Sequence, residues 1–232
     1  RDLHSFPTRR SSDLNAAIPT RWEQNKWIDI GVFDFRGSGS PRVELSNFTQ
    51  DGKYVDDIAW DAVAVQPLAS KPSHFVVALG DSFSSGEGAG GYTRVSDQYG
   101  DDSPRRNACR RGPNAWSRKL QPRNAPATVG QLDDSNDARL DFHTLACAGA
   151  RTHNVMRTVT STGSPAPPNA AGKTPGGSWG ELSQLDAGFL DENTTLVVLT
   201  LGGNDAEWSQ ISKTCAQTDD RKSTRLNSSH ER

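Results

Sequence analysis

The sequence predicts an α/β fold, a parallel sheet within a three-layer α/β/α arrangement, and three observations carry that expectation. Short apolar runs recur at 75–79 (FVVAL), 140–146 (LDFHTLA) and 195–201 (TLVVLTL). Each closes in small residues with one chemically useful group: Gly80-Asp81-Ser82, Cys147-Ala148-Gly149-Ala150 and Gly202-Gly203-Asn204-Asp205. Helical patterns separate the runs, and strands alternating with helices form parallel sheets through right-handed crossovers.

Taken in order, the chain opens on a stretch set aside from fold reasoning. Residues 2–14 (DLHSFPTRRSSDL) and 220–230 (DRKSTRLNSSH) resemble in-frame translations of sequencing adapters. Segments 1–14 and 220–232 are therefore expected to be artefact, and the natural gene to be cut at both ends. Without those tails 19 basic and 24 acidic residues remain, a net charge near −5. No basic surface is implied, and nucleic acid is excluded as an expected partner. No apolar run approaches the ~18 residues that a membrane span needs.

Residues 26–35 (KWIDIGVFDF), 41–48 (PRVELSNF) and 58–65 (IAWDAVAV) alternate apolar with polar or small residues. Alternation at period two predicts half-buried antiparallel strands joined by the glycine-containing turns at 36–40 and 50–53. The segment resembles the C-terminal part of a golvesin C-terminal-like β-sandwich, expected over 15–69, whose closing strand would read WDAVAV at 60–65. Trp22, Trp27 and Trp60 could offer platforms to sugars, although packing is the commoner use of such rings.

A seam at 67–72 (PLASKP) separates this segment from the second domain, expected over 70–219. Run 75–79 is unbroken, which suits a strand buried on both faces of a parallel sheet. Residues 84–91 (SSGEGAGG) are rich in glycine but lack the Gly-Lys-Ser/Thr ending of a phosphate-cradling loop, so nucleotide binding is set aside. Residues 114–120 (NAWSRKL) read as the start of a helix with Asn114 as its N-cap. Further on, 180–190 (GELSQLDAGFL) places Leu182, Leu185 and Phe189 at helical spacing, a stripe to bury against the sheet. Run 195–201 reads as a third buried strand.

In a parallel sheet the three strand ends lie on one edge, where reactive side chains are displayed. Acyl transfer needs a nucleophilic hydroxyl and donors aimed where a carbonyl oxygen becomes an oxyanion. Ser82 would supply the hydroxyl and one backbone N–H. Gly149, with no Cβ, would bring a second N–H close to substrate, and Asn204 an amide donor.

At these residues the chain resembles the SGNH hydrolases, also called GDSL esterases/lipases, over most of 73–219. The three blocks are Gly80-Asp81-Ser82, extended by Phe83-Ser84-Ser85-Gly86-Glu87-Gly88 as in secreted actinobacterial members; Ala146-Cys147-Ala148-Gly149-Ala150; and Gly202-Gly203-Asn204-Asp205. The resemblance implies a flavodoxin-like sheet with Ser82 as nucleophile and Gly149 and Asn204 completing the oxyanion hole. It also implies a disulfide between Cys109 and Cys147, which an oxidising compartment favours, and leaves Cys215 as an odd thiol.

One block of that pattern is missing: the Asp-x-x-His that would follow Asn204 and supply the general base. His74, His143 and His153 all precede Asn204, and His143, alternating into a strand, reads as packed or surface-exposed. The expected function is a serine esterase/lipase cleaving carboxylic esters, here without its histidine. The alternative is a non-catalytic carbohydrate-binding or cell-surface protein with a degenerate hydrolase domain. Substrates implied are lipids, short-chain esters or acylated polysaccharides, met by a secreted monomer. No Cys/His cluster has zinc spacing, and neither cofactor nor metal is expected.

Overall fold

A computed structural model describes residues 27, 29–33, 43, 45, 61–97, 107–156 and 183–217. Three strands form one parallel sheet: β1 (His74–Gly80), β2 (Leu140–Thr144) and β3 (Leu196–Thr200). Their order is β2-β1-β3, with Val76 opposite Phe142 on one side and Leu196 on the other. The fold is therefore α/β, as the apolar runs predict. Because β1 feeds first to one flank and then to the other, its carboxyl end is a switch point, where open α/β sheets form their crevice.

Burial explains why β1 is central. Val76 and Ala78 are fully buried on one face, while Val77 and Leu79 pack on the other with Val155, Leu145, Leu185, Leu190 and Leu201. β3 differs from the expectation of a strand buried on both faces. Val198 is buried, but Val197 and Leu199 are 43% and 48% exposed. β3 lies at the edge of the described sheet, and only one of its faces is covered there.

Short helices fill the connections. α1 (Ser82–Ser85) is capped by the Asp81 side chain and stopped by Gly86 in the left-handed region. α2 (Trp116–Lys119) packs on α3 (Val129–Asp134), and α3 packs on β2. Thr128 and Gln131 close a capping box at the start of α3. Arg118 pairs with both Asp133 and Asp134, fastening α2 to α3. After α3, Arg139 donates side-chain hydrogen bonds to Asp137, which hold the Asp137 carboxyl well below the usual carboxylate range. α4 (Thr152–Val155) follows β2, and α5 (Trp208–Gln217) follows β3.

Two expected helix features are absent. Asn114 does not cap α2: its amide donates to the carbonyls of Ala89 and Gly90, and the cap position falls to Ala115, without a side-chain bond. Residues 183–190 form turns rather than a helix, although Leu185 and Leu190 still reach the core. The backbone N–H groups of Gln184 and Leu185 go to the Asn154 and Val155 carbonyls at the end of α4, so a helical ladder cannot claim them. Leu182 lies outside the described residues.

Upstream, residues 61–65 are exposed and unpaired, so the closing strand expected over 58–65 is not formed there. No strand occurs among the described residues of 26–48 either; Gly31 has φ +102° and the Val32 N–H donates to Asp141 Oδ2 instead of a ladder partner. Trp27 is exposed, whereas Trp22, Trp60 and both adapter-like ends lie outside the described residues.

Candidate active site

The site begins with a backbone that only glycine can follow. At the last residue of β1, Gly80 has φ +120°, and a Cβ there would stand 2.1 Å from the Thr200 carbonyl oxygen. The chain turns at this point into α1. Asp81, 2% exposed, receives the Phe83 N–H at 3.1 Å and the Thr200 hydroxyl at 3.2 Å. Ser84 Oγ, fully buried, lies 2.7 Å from Thr200 Oγ1 and accepts the Thr200 N–H. Asp81, Ser84 and Thr200 thus lock the turn to the end of β3. Ser82 itself is left half-exposed at the start of α1, and neither its hydroxyl nor its N–H has a partner among the described residues.

The other two predicted residues arrive from the neighbouring strand ends. After β2 the chain makes a turn in which Gly149 takes φ +84°, with open space where a Cβ would stand and an N–H without a partner among the described residues. After β3 the Asn204 amide donates to the Ala150 carbonyl at 2.8 Å, which orients the group and leaves its second N–H available to a ligand. Ser82, Gly149 and Asn204 line one open cleft of about 320 Å³, with Asp81, Phe83 and Trp208 among their neighbours. Phe83 and Trp208 are 63% and 56% exposed, so the cleft has an apolar rim.

Two features of the cleft escape sequence reasoning. Arg110 lines it in an ion pair with Glu87, within 3.8 Å of Asp97 and 6.0 Å from the Tyr92 ring centroid. Its φ of +54° is the only hint of special treatment, and that is invisible in a sequence. Asp81 is the second: it caps α1 and anchors the turn. An Asp immediately before a short polar helix is the signal that finds it.

Cys109 and Cys147 form a disulfide, both sulfurs fully buried. It joins the segment carrying Ala108 and Arg110 to the one carrying Ala148 and Gly149, so it ties two walls of the cleft together. Cys215 is free and exposed on α5. None of the described histidines lines the cleft. His74 opens β1 at the opposite end of the sheet and His153 is exposed on α4. His143 is packed: its Nε2 lies 2.8 Å from Asp141 Oδ1 and its ring 4.1 Å from that of Phe189. No group of three or more His, Cys, Asp or Glu side chains suited to a metal ion occurs among the described residues, nor does any helix long and apolar enough to cross a membrane.

No family model matches the chain. It is 31% identical over 154 residues to Lipase 1 of Streptomyces coelicolor, an alignment that covers 66% of this chain and 38% of that protein. Among solved structures it is similar to an extracellular lipase from Streptomyces rimosus, with 27% identity, a TM-score of 0.33, and 62% of this chain and 41% of that one covered. A phospholipase A1 from Streptomyces albidoflavus shares 28% identity with a TM-score of 0.34, over 63% of this chain and 41% of its own. The chain spans about two fifths of the length of these relatives, all of them named as lipases or phospholipases of Streptomyces.

Proposed function

We propose that the chain carries the nucleophile and oxyanion donors of a serine hydrolase of the SGNH type that cleaves carboxylic esters. The observation that carries this reading is the meeting of Ser82, Gly149 and Asn204 in one cleft, with the Ser82 and Gly149 N–H groups uncommitted among the described residues. In the reaction, Ser82 Oγ attacks the ester carbonyl carbon as its proton passes to a base. The carbonyl oxygen takes up the electron pair and receives hydrogen bonds from the Ser82 and Gly149 N–H groups and the Asn204 amide. Collapse of this intermediate breaks the bond to the alkoxy oxygen, which leaves as the alcohol after taking a proton, and water then releases the acid from Ser82 by the same route. Donors of this kind act where charge develops and contribute about 10²- to 10³-fold each in related chemistry.

We favour lipid esters as substrates, since Phe83 and Trp208 give the cleft an apolar rim and the Streptomyces coelicolor relative is named a lipase. Short-chain esters and acylated polysaccharides share the reacting group. The disulfide suits a secreted protein. The catalytic unit is assigned to 70–219, with 15–69 as a separate accessory segment.

A base is the missing member. An imidazole activates the serine only within about 3 Å, and no described histidine lines the cleft. The sequence after Asn204 has no Asp-x-x-His. The chain as it stands is therefore expected to hydrolyse a p-nitrophenyl acyl ester slowly, by attack of Ser82 with water rather than an imidazole taking its proton and the oxyanion donors stabilising the developing charge. Ser82→Ala should abolish what remains. The second reading is a non-catalytic domain that binds without cleaving. Hydrolysis at the level of buffer in both chains would decide for that reading, and equal enzymatic hydrolysis in both would remove Ser82 as nucleophile.

A further inference from the structure

We propose that Gln184 is a positioning residue for Ser82: its side-chain amide replaces a missing strand partner at the end of β1 and fixes the turn that delivers the nucleophile. The inference rests on the reading of Ser82 given above and adds to it a residue outside the cleft.

The geometry starts where the sheet opens. In a strand, the N–H and C=O of one residue point to the same flank, and Gly80 directs both toward β2. β2 ends at Thr144, and the next two N–H groups, of Leu145 and Ala146, both turn back to the Ala78 carbonyl at 2.8 and 3.1 Å. The strand has therefore left before it can pair with the Gly80 N–H. Gln184, 2% exposed, takes over: its Oε1 accepts that N–H at 2.7 Å and its Nε2 donates to the Gly80 carbonyl at 2.8 Å. A donor must face the carbonyl and an acceptor the N–H, so the two contacts also fix which way the amide is turned. The backbone that carries this side chain is anchored as well, since the Gln184 N–H donates to the Asn154 carbonyl at 3.1 Å.

The consequence reaches both walls of the cleft. The Gly80 carbonyl also receives the Cys147 N–H at 3.0 Å, two residues before Gly149. Gln184 and Cys147 thus share one acceptor, which lies two residues before Ser82. With the clamp in place, β1 holds its left-handed last residue and the two proposed oxyanion N–H groups keep a common reference point. Without it, a buried N–H and part of a carbonyl's bonding are lost at the hinge of the turn. The other flank of β1 needs no such device, since the Asp81 N–H pairs with the Thr200 carbonyl at 3.0 Å in the ordinary way.

The test uses the full chain with Gln184→Met, an unbranched apolar side chain of similar length, and Gln184→Glu, which keeps an acceptor for the Gly80 N–H. Amide hydrogen exchange, thermal melting, and kcat and KM for p-nitrophenyl butyrate are compared with the parent chain. In folded Gln184→Met, exchange across 80–85 should quicken at least tenfold while α3 and β2 keep their protection. A displacement of about an ångström at a reacting group costs on the order of 10²-fold in rate; kcat should therefore fall about 10- to 100-fold with KM within about twofold. Gln184→Glu should recover part of both losses. Exchange at 80–85 within twofold of the parent in folded Gln184→Met overturns the clamp, whatever the turnover. Faster exchange with an unchanged kcat makes Gln184 structural only. Failure of the underlying reading shows separately, as hydrolysis that Ser82→Ala leaves intact.

Discussion

Asn204 shows how one side chain can be both scaffold and proposed reagent. One of its amide hydrogens is spent on the Ala150 carbonyl, which sits one residue beyond Gly149, so the amide is aimed by the very turn that presents the backbone donor. Replacing it with alanine removes a donor without filling the cleft. Asn204→Ala should lower kcat by about 10²-fold, the scale seen when one oxyanion donor is deleted, with KM little changed and the fold intact by circular dichroism. A loss confined to KM would mean that Asn204 binds the ground state rather than the developing charge. Gly149 and Ser82 offer no comparable side-chain test of their donors, because each gives its backbone. The sequence singles out these three as a hydroxyl, a residue without Cβ and an amide, each just past a strand and each in a block of the resemblance, and all three line one cleft. Arg110 and Gln184 were not legible, since what they do is decided by partners 23 and 104 residues away in sequence.

At the level of elements, β1 and β3 are joined by more than their ladder. Thr200 gives its carbonyl to the Asp81 N–H, its N–H to Ser84 Oγ and its hydroxyl to Asp81, so the end of one strand is stapled to the turn of the other. Thr200→Val keeps the shape of the residue and removes the hydroxyl. Ser84 is fully buried and would keep the Thr200 N–H while its own hydroxyl hydrogen loses the 2.7 Å contact with Thr200 Oγ1, and a buried donor left unmatched costs about 1–3 kcal/mol. The expected outcome is a lower denaturant midpoint with an unchanged slope; a midpoint equal to that of the parent would mean that Ser84 finds another partner. β1 and β3 could be read from the sequence because contiguous apolar runs leave few alternatives, and β2 from its alternating Leu140 and Phe142. Segment 183–190 could not: Leu185 and Phe189 keep a helical spacing, but the Gln184 and Leu185 N–H groups are taken by the carbonyls that end α4, a tertiary fact that no local pattern carries. Asn114 failed as a cap for the same reason, its amide being drawn to the carbonyls of Ala89 and Gly90 in the glycine-rich loop.

Across the whole molecule, the cleft is assembled from segments that the sheet by itself would not hold together. Residues 107–111 come from the long connection between β1 and β2 and contribute Ala108 and Arg110 to one wall, while Ala148 and Gly149 form another. The Cys109–Cys147 disulfide joins them, aided by the Ala148 N–H on the Cys109 carbonyl at 3.0 Å and by Arg111, which donates to the Leu145 and Ala146 carbonyls. Since the bridge closes a loop of 38 residues, the chain-entropy account gives it about 3–4 kcal/mol of stability. For a chain of this size that is a fall in Tm of roughly 10 °C when both cysteines become alanine. The effect should be matched by reducing the parent chain, and the alanine variant should no longer respond to reductant. Because the bridge sits between two cleft walls, its loss should also lower the rate of ester hydrolysis at temperatures where the protein is still folded, by misplacing Gly149 relative to Ser82. A Tm indifferent to reductant would remove the disulfide from the stability of the fold, whereas a lowered Tm with an unchanged rate at low temperature would leave it a structural brace with no part in shaping the site.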